Sequence, residues 1–509
     1  MRFFLPLLVL LTLSSLAAQT GASTLHLDRP YHASGEVAWF SLYLPAPAPA
    51  TVRVGVFGPD GRERDYFFLR AEAGTVSGHY RWGYDLPTGY YRLGFTTLTA
   101  DGGVADLGQY RHAVYSVADR SAEAAAARRG GADEATGDLG LELTGGQIVV
   151  ADAPAGAYSV AVYNASVCGD DPTLASEAVT GAQGYVDTLF YGGVLTEAEG
   201  GAPVRVGLLP VFDNTTFATY FSKSDAEGRY LLELPDFRGE REVQVISITD
   251  QQPRPRMNAA ELPALDESPP LTEEVLAYLD LSNRRRKIYQ LYQTVETPLE
   301  ALPPPVERRD LTASKAYDVQ NYKAFPDLYT FFREVAGELR YRDRRDGYEA
   351  RLYNAPSQRF FTETPLFIVD GRLTRDANYV AKLSPATVER VAFYYGNRNL
   401  RELFPALGSQ GVVQIDRIRP VTDLPADDAA NLLTLQGLQT AQPFPAPADG
   451  RPRLSPLLLW QTGTTGGGRM VIDLPPTDDA GNYRVVVTHR DAAGRVRRGL
   501  LGVTLATSR

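Results

Sequence analysis

Four times in this chain a glycine is followed two residues later by a tyrosine that opens an alternating run: Gly89-Tyr90-Tyr91-Arg92-Leu93, Gly156-Ala157-Tyr158-Ser159-Val160, Gly228-Arg229-Tyr230-Leu231-Leu232 and Gly481-Asn482-Tyr483-Arg484-Val485. Glycine permits the tight entry into a strand. A tyrosine in that position lies over the edge of a core and returns its hydroxyl to backbone a few residues upstream, as at the corner of a two-sheet sandwich. Most of the remaining sequence also alternates apolar and polar residues in short runs separated by Gly, Asp, Asn and Pro. A period of two with such punctuation predicts antiparallel sheets, not helices.

The chain has 509 residues, which allows several domains of ~100–150 residues each. Cys168 is the only cysteine, so the domains must be held by core burial and not by intrachain disulfides. Residues 1–19 read as a secretory signal peptide, with Arg2, an apolar run from Phe3 to Leu13, and small residues at Ala17 and Ala18. No later run approaches the ~18 apolar residues of a membrane span. The expectation is export, to the periplasm or the outer-membrane surface of a Gram-negative bacterium, with no membrane span in the mature chain.

Net charge is −10 and the isoelectric point about 5.2, which gives no basic footprint for nucleic acid. Arginine greatly outnumbers lysine, and the arginines read as scattered. Arg284-Arg285-Arg286-Lys287 is the one basic cluster, taken as the solvated face of a helix within 271–293.

The motifs of catalysis are missing. His26, His32, His79, His112 and His489 show no zinc-binding spacing. There is no G-x-S-x-G elbow, and Gly466-Gly467-Gly468 lacks the Lys-Ser or Lys-Thr of a P-loop; it is expected as a hairpin loop between Trp460 and Met470. Asp28 and Glu36 read as turn-stabilising or solvated edge charges in preference to metal ligands. The Asp225–Gly228 turn falls short of a calcium loop. Asp427-Asp428 and Asp478-Asp479 sit in turn-like contexts unsuited to glycosidase acid–base pairs. Cys168 is expected to be a structural thiol.

Three stretches carry family resemblances. Leu25-His26-Leu27-Asp28-Arg29-Pro30-Tyr31 through Gly35-Glu36-Val37 resembles the MG2 domain of α2-macroglobulin-like proteins, with Tyr31 one position early. Trp39 is its expected core anchor. Residues 184–249, with the hairpin turn Asp225-Ala226-Glu227-Gly228 before Tyr230, resemble the carboxypeptidase regulatory-like domain, a prealbumin-type sandwich. Strands are expected there at 192–195, 204–208, 219–224 and 229–234. Residues 364–371, 383–396 and 407–418 resemble the plug of TonB-dependent receptors. Strands are expected at 365–370, 391–395 and 412–416, a helix opened by Ser384 and Pro385, and a second helix at 399–407. Roughly 90 residues follow Ile418, too few for a receptor barrel of ~22 strands at ~10 residues each. The macroglobulin resemblance does not extend to a thioester, because Cys168 is followed by Gly169-Asp170-Asp171 and not by the Glu-Gln such a bond requires.

The expected fold class is mainly β and multi-domain: immunoglobulin/macroglobulin-like sandwiches plus a small α+β plug-like domain. The boundaries are 24–118 for the MG2-like sandwich, 119–138 for a linker, 139–180 joined with 454–509 as one split sandwich, 184–250 for the regulatory-like domain, 251–324 for a Pro-rich and helical connector, 325–420 for the plug-like domain and 421–453 for a Pro-rich linker. The resemblance to Bacteroidetes-type proteins that combine these parts implies a non-catalytic envelope binding or scaffolding protein. It would be associated with uptake or secretion, with an envelope protein or an extracellular polymer as partner. No cofactor, metal or catalytic residue is assigned, and the oligomeric state is left open. Two alternatives stand beside it: a protease-responsive macroglobulin relative without thioester, with 251–270 and 298–306 as bait, and a glycan-active enzyme.

Overall fold

Strand Val37–Tyr43 is buried at all seven positions, so both its faces must be covered. Because side chains alternate across a strand, Ala38, Phe40 and Leu42 enter one core while Val37 and Trp39 enter another. The computed structural model describes residues 20–45, 50–119, 136–169, 174–180, 184–246, 253–292, 309, 311–345, 347–445 and 451–507. The expected signal peptide, most of the 119–138 linker and all of 298–306 lie outside them. The described residues are mainly β and fall into two compact units: 1–187, 261–299 and 441–509 form one, and 188–260 and 300–440 the other.

The first unit opens with nine strands that form a continuous path. In spatial order they are Leu174–Thr180, Thr20–Leu27, Val37–Tyr43, Thr75–Arg81, Glu63–Glu72, Thr51–Phe57, Gly89–Leu98, Val104–Tyr115 and Tyr31–Ala33. Glu63–Glu72 and Thr75–Arg81 share only the pairs Ala71–Val76 and Glu72–Thr75, so the path turns a corner there and becomes a two-layer sandwich. Phe40 of one layer meets Phe95 of the other edge-on at 5.8 Å. Leu42, Val52, Val54, Val76, Leu93 and fully buried Trp82 fill the space around them. Each such side chain contributes about 1.5–3 kcal/mol by leaving water. Trp82 is thus the tryptophan of this core, whereas Trp39 lies on the opposite face of its strand against His79 and Phe444.

A second sheet in this unit joins distant parts of the chain. Gln147–Asn164 pairs with Leu457–Asp473 on one side and with Leu141–Thr144 and Gly481–Asp491 on the other; Val496–Leu505 and Thr136–Gly137 follow. The strands of 141–164 and 457–505 therefore share one sheet, whose core holds Val150, Val160, Val162, Met470, Ile472, Val485 and Val487. Residues 174–180, expected in the same domain, pair instead with Thr20–Leu27 of the first sandwich. Gly466, Gly467 and Gly468 are not a hairpin loop. They lie inside the strand Leu457–Asp473, opposite a register shift between Val150 and Ala153. Gly467 and Gly468 take φ +96 and +92 there, so the glycines carry a bulge and not a chain reversal.

Helix Glu273–Tyr292 presents Val275, Tyr278, Leu279, Ser282, Arg285 and Tyr289 to the protein at three- and four-residue spacing. Its apolar members join Ala33, Val37, Trp39 and Tyr115 of the first sandwich and Ala161, Tyr163 and Trp460 of the second sheet in one cluster.

The second unit contains a three-stranded sheet (Arg229–Leu234, Leu189–Glu197, Pro253–Met257) and a four-stranded sheet (Thr219–Ser222, Leu209–Asp213, Glu240–Val245, Leu432–Gln436). Two of these strands come from segments expected as connector and linker: Pro253–Met257 pairs with Leu189–Glu197, and Leu432–Gln436 with Glu240–Val245. The expected strand at 204–208 does not form; Val204 N instead donates to Leu195 O at 2.9 Å.

Beyond them lies a five-stranded sheet in the order Lys315–Asp318, Val388–Tyr394, Val412–Arg417, Leu366–Val369, Arg372–Thr374. The two-residue loop Asp370-Gly371, at φ 49 and 88, makes its last hairpin. Helix Leu328–Glu334, capped by Asp327 Oδ1 accepting from Thr330 N, packs Phe331 and Phe332 on one face. Ser384 and Pro385 open only one turn of 3-10 helix, Pro385–Thr387, with no side-chain cap bond. The second helix spans Asn397–Leu403, ending before the expected Leu407. A separate three-stranded sheet, Leu339–Arg344, Gly347–Asn354 and Arg359–Phe360, completes the unit.

Candidate functional site

The titratable residues flagged in the sequence converge at one place in the first unit. After strand Thr20–Leu27 the chain reverses through Asp28–Ser34, and Gly35 takes φ +84 to let Glu36 lead back into Val37–Tyr43. Gly35 N donates to Trp82 O and Trp82 N to Glu36 O, which fixes the turn against the neighbouring strand. Asp28 and Glu36 are not solvated edge charges. They are 0 % and 6 % exposed, because helix Glu273–Tyr292 covers the turn.

Glu36 is the centre. Its Oε2 accepts from Ala33 N at 2.9 Å and from the Tyr278 hydroxyl; its Oε1 accepts from Ser282 Oγ at 2.8 Å and Arg285 Nη2 at 2.6 Å. Arg29 Nη2 lies 3.5 Å from Oε2, and Arg29 Nε 3.7 Å from Asp28 Oδ2. Two carboxylates thus face two guanidiniums, so the buried charge is balanced, the condition under which burial is tolerated. Burial opposes ionisation of Glu36, but Arg29 and Arg285 outweigh it and hold the carboxyl well below the usual range. Arg286 donates to Ser34 O and its guanidinium lies over Tyr84. Two members of the expected solvated basic face are therefore engaged by the turn, and Arg285 is buried.

A chain of imidazoles extends the cluster. His32 Nε2 lies 3.1 Å from Asp28 Oδ1, and His32 Nδ1 is 2.7 Å from His112 Nε2. Burial lowers the pKa of both histidines, with Asp28 opposing at His32 and the neighbouring His32 adding at His112. Neutral rings satisfy the geometry if His32 carries its proton toward Asp28 and accepts from His112. The far end of this relay is the ring of Trp82, 5.8 Å from His112, which offers nothing to attack or deprotonate. Cys168, at the end of the short helix Ala165–Cys168, is fully buried. Burial pushes its thiol up to about 12, with Arg29 opposing and Glu36 adding, so at neutral pH it is no nucleophile.

The other sequence candidates are dispersed. His26 Nδ1 is 2.6 Å from Ser159 Oγ, and Tyr43 OH also contacts that hydroxyl. His79 lies against Trp39 with the rings tilted, centroids 5.0 Å apart, and His489 is buried on its strand. Asp225 Oδ1 accepts from Glu227 N and Arg229 N as a turn residue. Asp427 pairs with Arg254 and Asp428 accepts from Thr374 Oγ1, while Asp478 accepts from Arg453 N and Asp479 from Asn164 Nδ2. Among the described residues no group of three or more His, Cys, Asp or Glu could hold a metal ion, and no helix is long and apolar enough to cross a membrane.

What the sequence reading missed was the partner set Tyr278, Ser282 and Arg285. Its only sequence signal is a polar pair placed on the apolar stripe of a helix. The whole arrangement is a buried clasp between turn and helix.

No family model and no curated protein matches this chain. Among solved structures, it aligns with Salmonella alpha-2-macroglobulin reacted with methylamine over 97% of its length at 10% identity and TM-score 0.24. It aligns with trypsin-activated alpha-2-macroglobulin from Escherichia coli over 96% at 9% identity and TM-score 0.24. The Salmonella enterica SafA pilin bound to the SafB chaperone matches 48% of this chain and 98% of its own at 14% identity and TM-score 0.16. The chain spans 40% and 42% of the two macroglobulins. Superpositions at these scores carry no argument, and the sandwich architecture rests on the strand pairing described above.

Proposed function

We propose that this is a non-catalytic cell-envelope protein of the exported, macroglobulin-like type, which binds or scaffolds another envelope protein by strand addition. The observation that supports this reading is the strand Leu457–Asp473. It runs 17 residues and pairs only with Gln147–Asn164; its other edge carries no strand among the described residues. Natural edge strands are shortened, charged or interrupted by proline to prevent pairing with other chains. Here no charge and no proline occurs from Leu457 to Gly468, and Thr462, Thr464 and Gly466 are exposed. Ahead of the glycine bulge, the edge at 461–465 offers backbone N–H and C=O groups to an extended partner segment, the mode in which main-chain bonds give affinity. The MG2-like, regulatory-like and plug-like resemblances belong to the same reading.

The test uses the full exported chain on envelope extracts of its own bacterium. A partner should be captured by the wild type and lost with the double variant Thr462→Lys/Thr464→Lys, which places two charges on the edge. Amides of 461–465 should gain hydrogen-exchange protection when that partner is added. Capture that survives the lysine pair, or no gain in protection, would sink the proposal.

A further inference from the structure

The solvent face of the three-stranded sheet in the second unit carries a concentration of one charge that its surroundings do not explain. Leu339, Tyr341, Ala350 and Leu352 turn inward to the core built on Phe331 and Phe332. By alternation Arg340, Arg342 and Arg344 share the opposite face of one strand, and Glu349, Arg351 and Tyr353 that of its neighbour. Phe360 pairs with Tyr353 and extends the face by a third strand, with ring centroids 5.1 Å apart.

Two features are unfavourable for folding alone. Arg340 stands directly opposite Arg351 in the register, a like-charge cross-strand pair that destabilises a sheet. Among the described residues the only carboxylate on the face, Glu349, is already shared: Arg344 Nε and Nη2 donate to Oε2 at 2.9 and 2.7 Å, and Arg351 Nε to Oε1 at 2.7 Å. Arg340 and Arg342 are exposed and have no carboxylate partner among the described residues. Arg340 instead lays its guanidinium across the sheet, 4.4 Å from the centre of the Phe360 ring. Among the described residues, four arginines against one glutamate make a local excess of positive charge on a chain of net charge −10. Beyond that cation–π contact the like-charge pair and Arg342 bring no structural return among the described residues, and such a departure from local design rules points to a site kept for another purpose.

We propose that this face binds an acidic polysaccharide, a polymer of uronate-type rings. Planar guanidiniums take carboxylates in bidentate geometry. Alternate residues on a strand stand ~7 Å apart, so Arg340 and Arg342, the two without a carboxylate partner among the described residues, are spaced to meet carboxylates along one extended polymer. Tyr353 and Phe360, tilted 58° to each other with the Arg340 guanidinium over Phe360, set aromatic edges beside the cations, which a sugar ring, unlike an acidic peptide, contacts with its C–H groups. Nucleic acid fits less well: a duplex carries one charge per ~1.7 Å of axis, and this chain offers four arginines in an otherwise acidic molecule. The proposal is independent of the strand edge in the other unit.

Polygalacturonate is the probe, with dextran, polyglutamate and single-stranded DNA as controls, in affinity electrophoresis of the full exported chain. Retardation is expected with polygalacturonate and not with dextran. Raising the salt concentration should weaken it, because these exposed charges are screened. Arg340→Gln/Arg342→Gln should weaken binding at least tenfold with an unchanged melting temperature; if the double variant does not fold, Arg342→Gln alone is the comparison. Phe360→Leu should weaken polygalacturonate binding too, while the edge variant Thr462→Lys/Thr464→Lys should bind as wild type does. Equal retardation by polyglutamate or DNA overturns the proposal, as does polygalacturonate binding that ignores the arginine substitutions, or no binding at low salt.

Discussion

Replacing Glu36 by glutamine removes the charge at the centre of the clasp while keeping its shape. Four donors reach this carboxylate: Ala33 N, the Tyr278 hydroxyl, Ser282 Oγ and Arg285 Nη2. Glutamine retains one acceptor oxygen, and its amide nitrogen would face donors. Arg29 would keep Asp28, while Arg285 would lose the carboxylate its Nη2 meets at 2.6 Å, in a site where both side chains are 5 % exposed. Breaking a buried pair in this way costs about 3–5 kcal/mol. Urea unfolding followed by far-ultraviolet circular dichroism and tryptophan fluorescence measures the loss.

The sign of its pH dependence follows from the direction of the Glu36 shift. The folded pKa is depressed, so the stabilisation is complete above the unfolded-state value of about 4.3. It is lost as pH falls through the lower folded value. The gap between wild type and Glu36→Gln should therefore be constant from pH 8 to 5 and narrow below about pH 4. A double-mutant cycle with Arg285→Met isolates the pairing; the double variant should be more stable than the sum of the single losses predicts. A cost under about 1 kcal/mol for Glu36→Gln, or strict additivity in the cycle, would refute the clasp.

Two further outcomes follow from the same geometry. The Tyr91 hydroxyl donates to Pro87 O and the Tyr483 hydroxyl to Asp479 O, each at 3.0 Å, whereas Tyr158 only accepts from Gln461 Nε2. Tyr91→Phe and Tyr483→Phe should each lose about 0.5–1.5 kcal/mol, and Tyr158→Phe less, in denaturant titrations. His26 is held at about 3, by burial first and then by Arg498, so it stays neutral in the fold but protonates in the unfolded chain. Its contribution is complete above about pH 6.5 and is lost as pH falls toward 3; His26→Gln should flatten the stability profile across that window.

The alternation of the strands was legible in the sequence because it depends on nearest neighbours. Two of the four Gly-x-Tyr sites, at Tyr91 and Tyr483, make the upstream carbonyl bond that the pattern implied. Tyr158 and Tyr230 do not, since that bond also needs a carbonyl at the right distance. The glycine run at 466–468 reads as a loop until its long partner strand is known. Glu36 and Arg285 read as surface charges for the same reason: each is buried by a segment far away in the chain. The arginine face was overlooked because composition was counted over the whole chain. The spacing Arg340, Arg342, Arg344, taken with a strand period of two, already places three cations on one side.

The sheet that joins Gln147–Asn164 to Leu457–Asp473 also dictates a timetable. Ala161 finds its partner Trp460 roughly three hundred residues later in synthesis, and contact order of this kind slows folding. Until those last strands emerge, the earlier strand waits with Val160 and Val162 lacking their eventual cover. Such a nascent chain exposes both an apolar face and a naked backbone edge, the combination that invites misassembly. The sheet is therefore completed only after the last strands have been made.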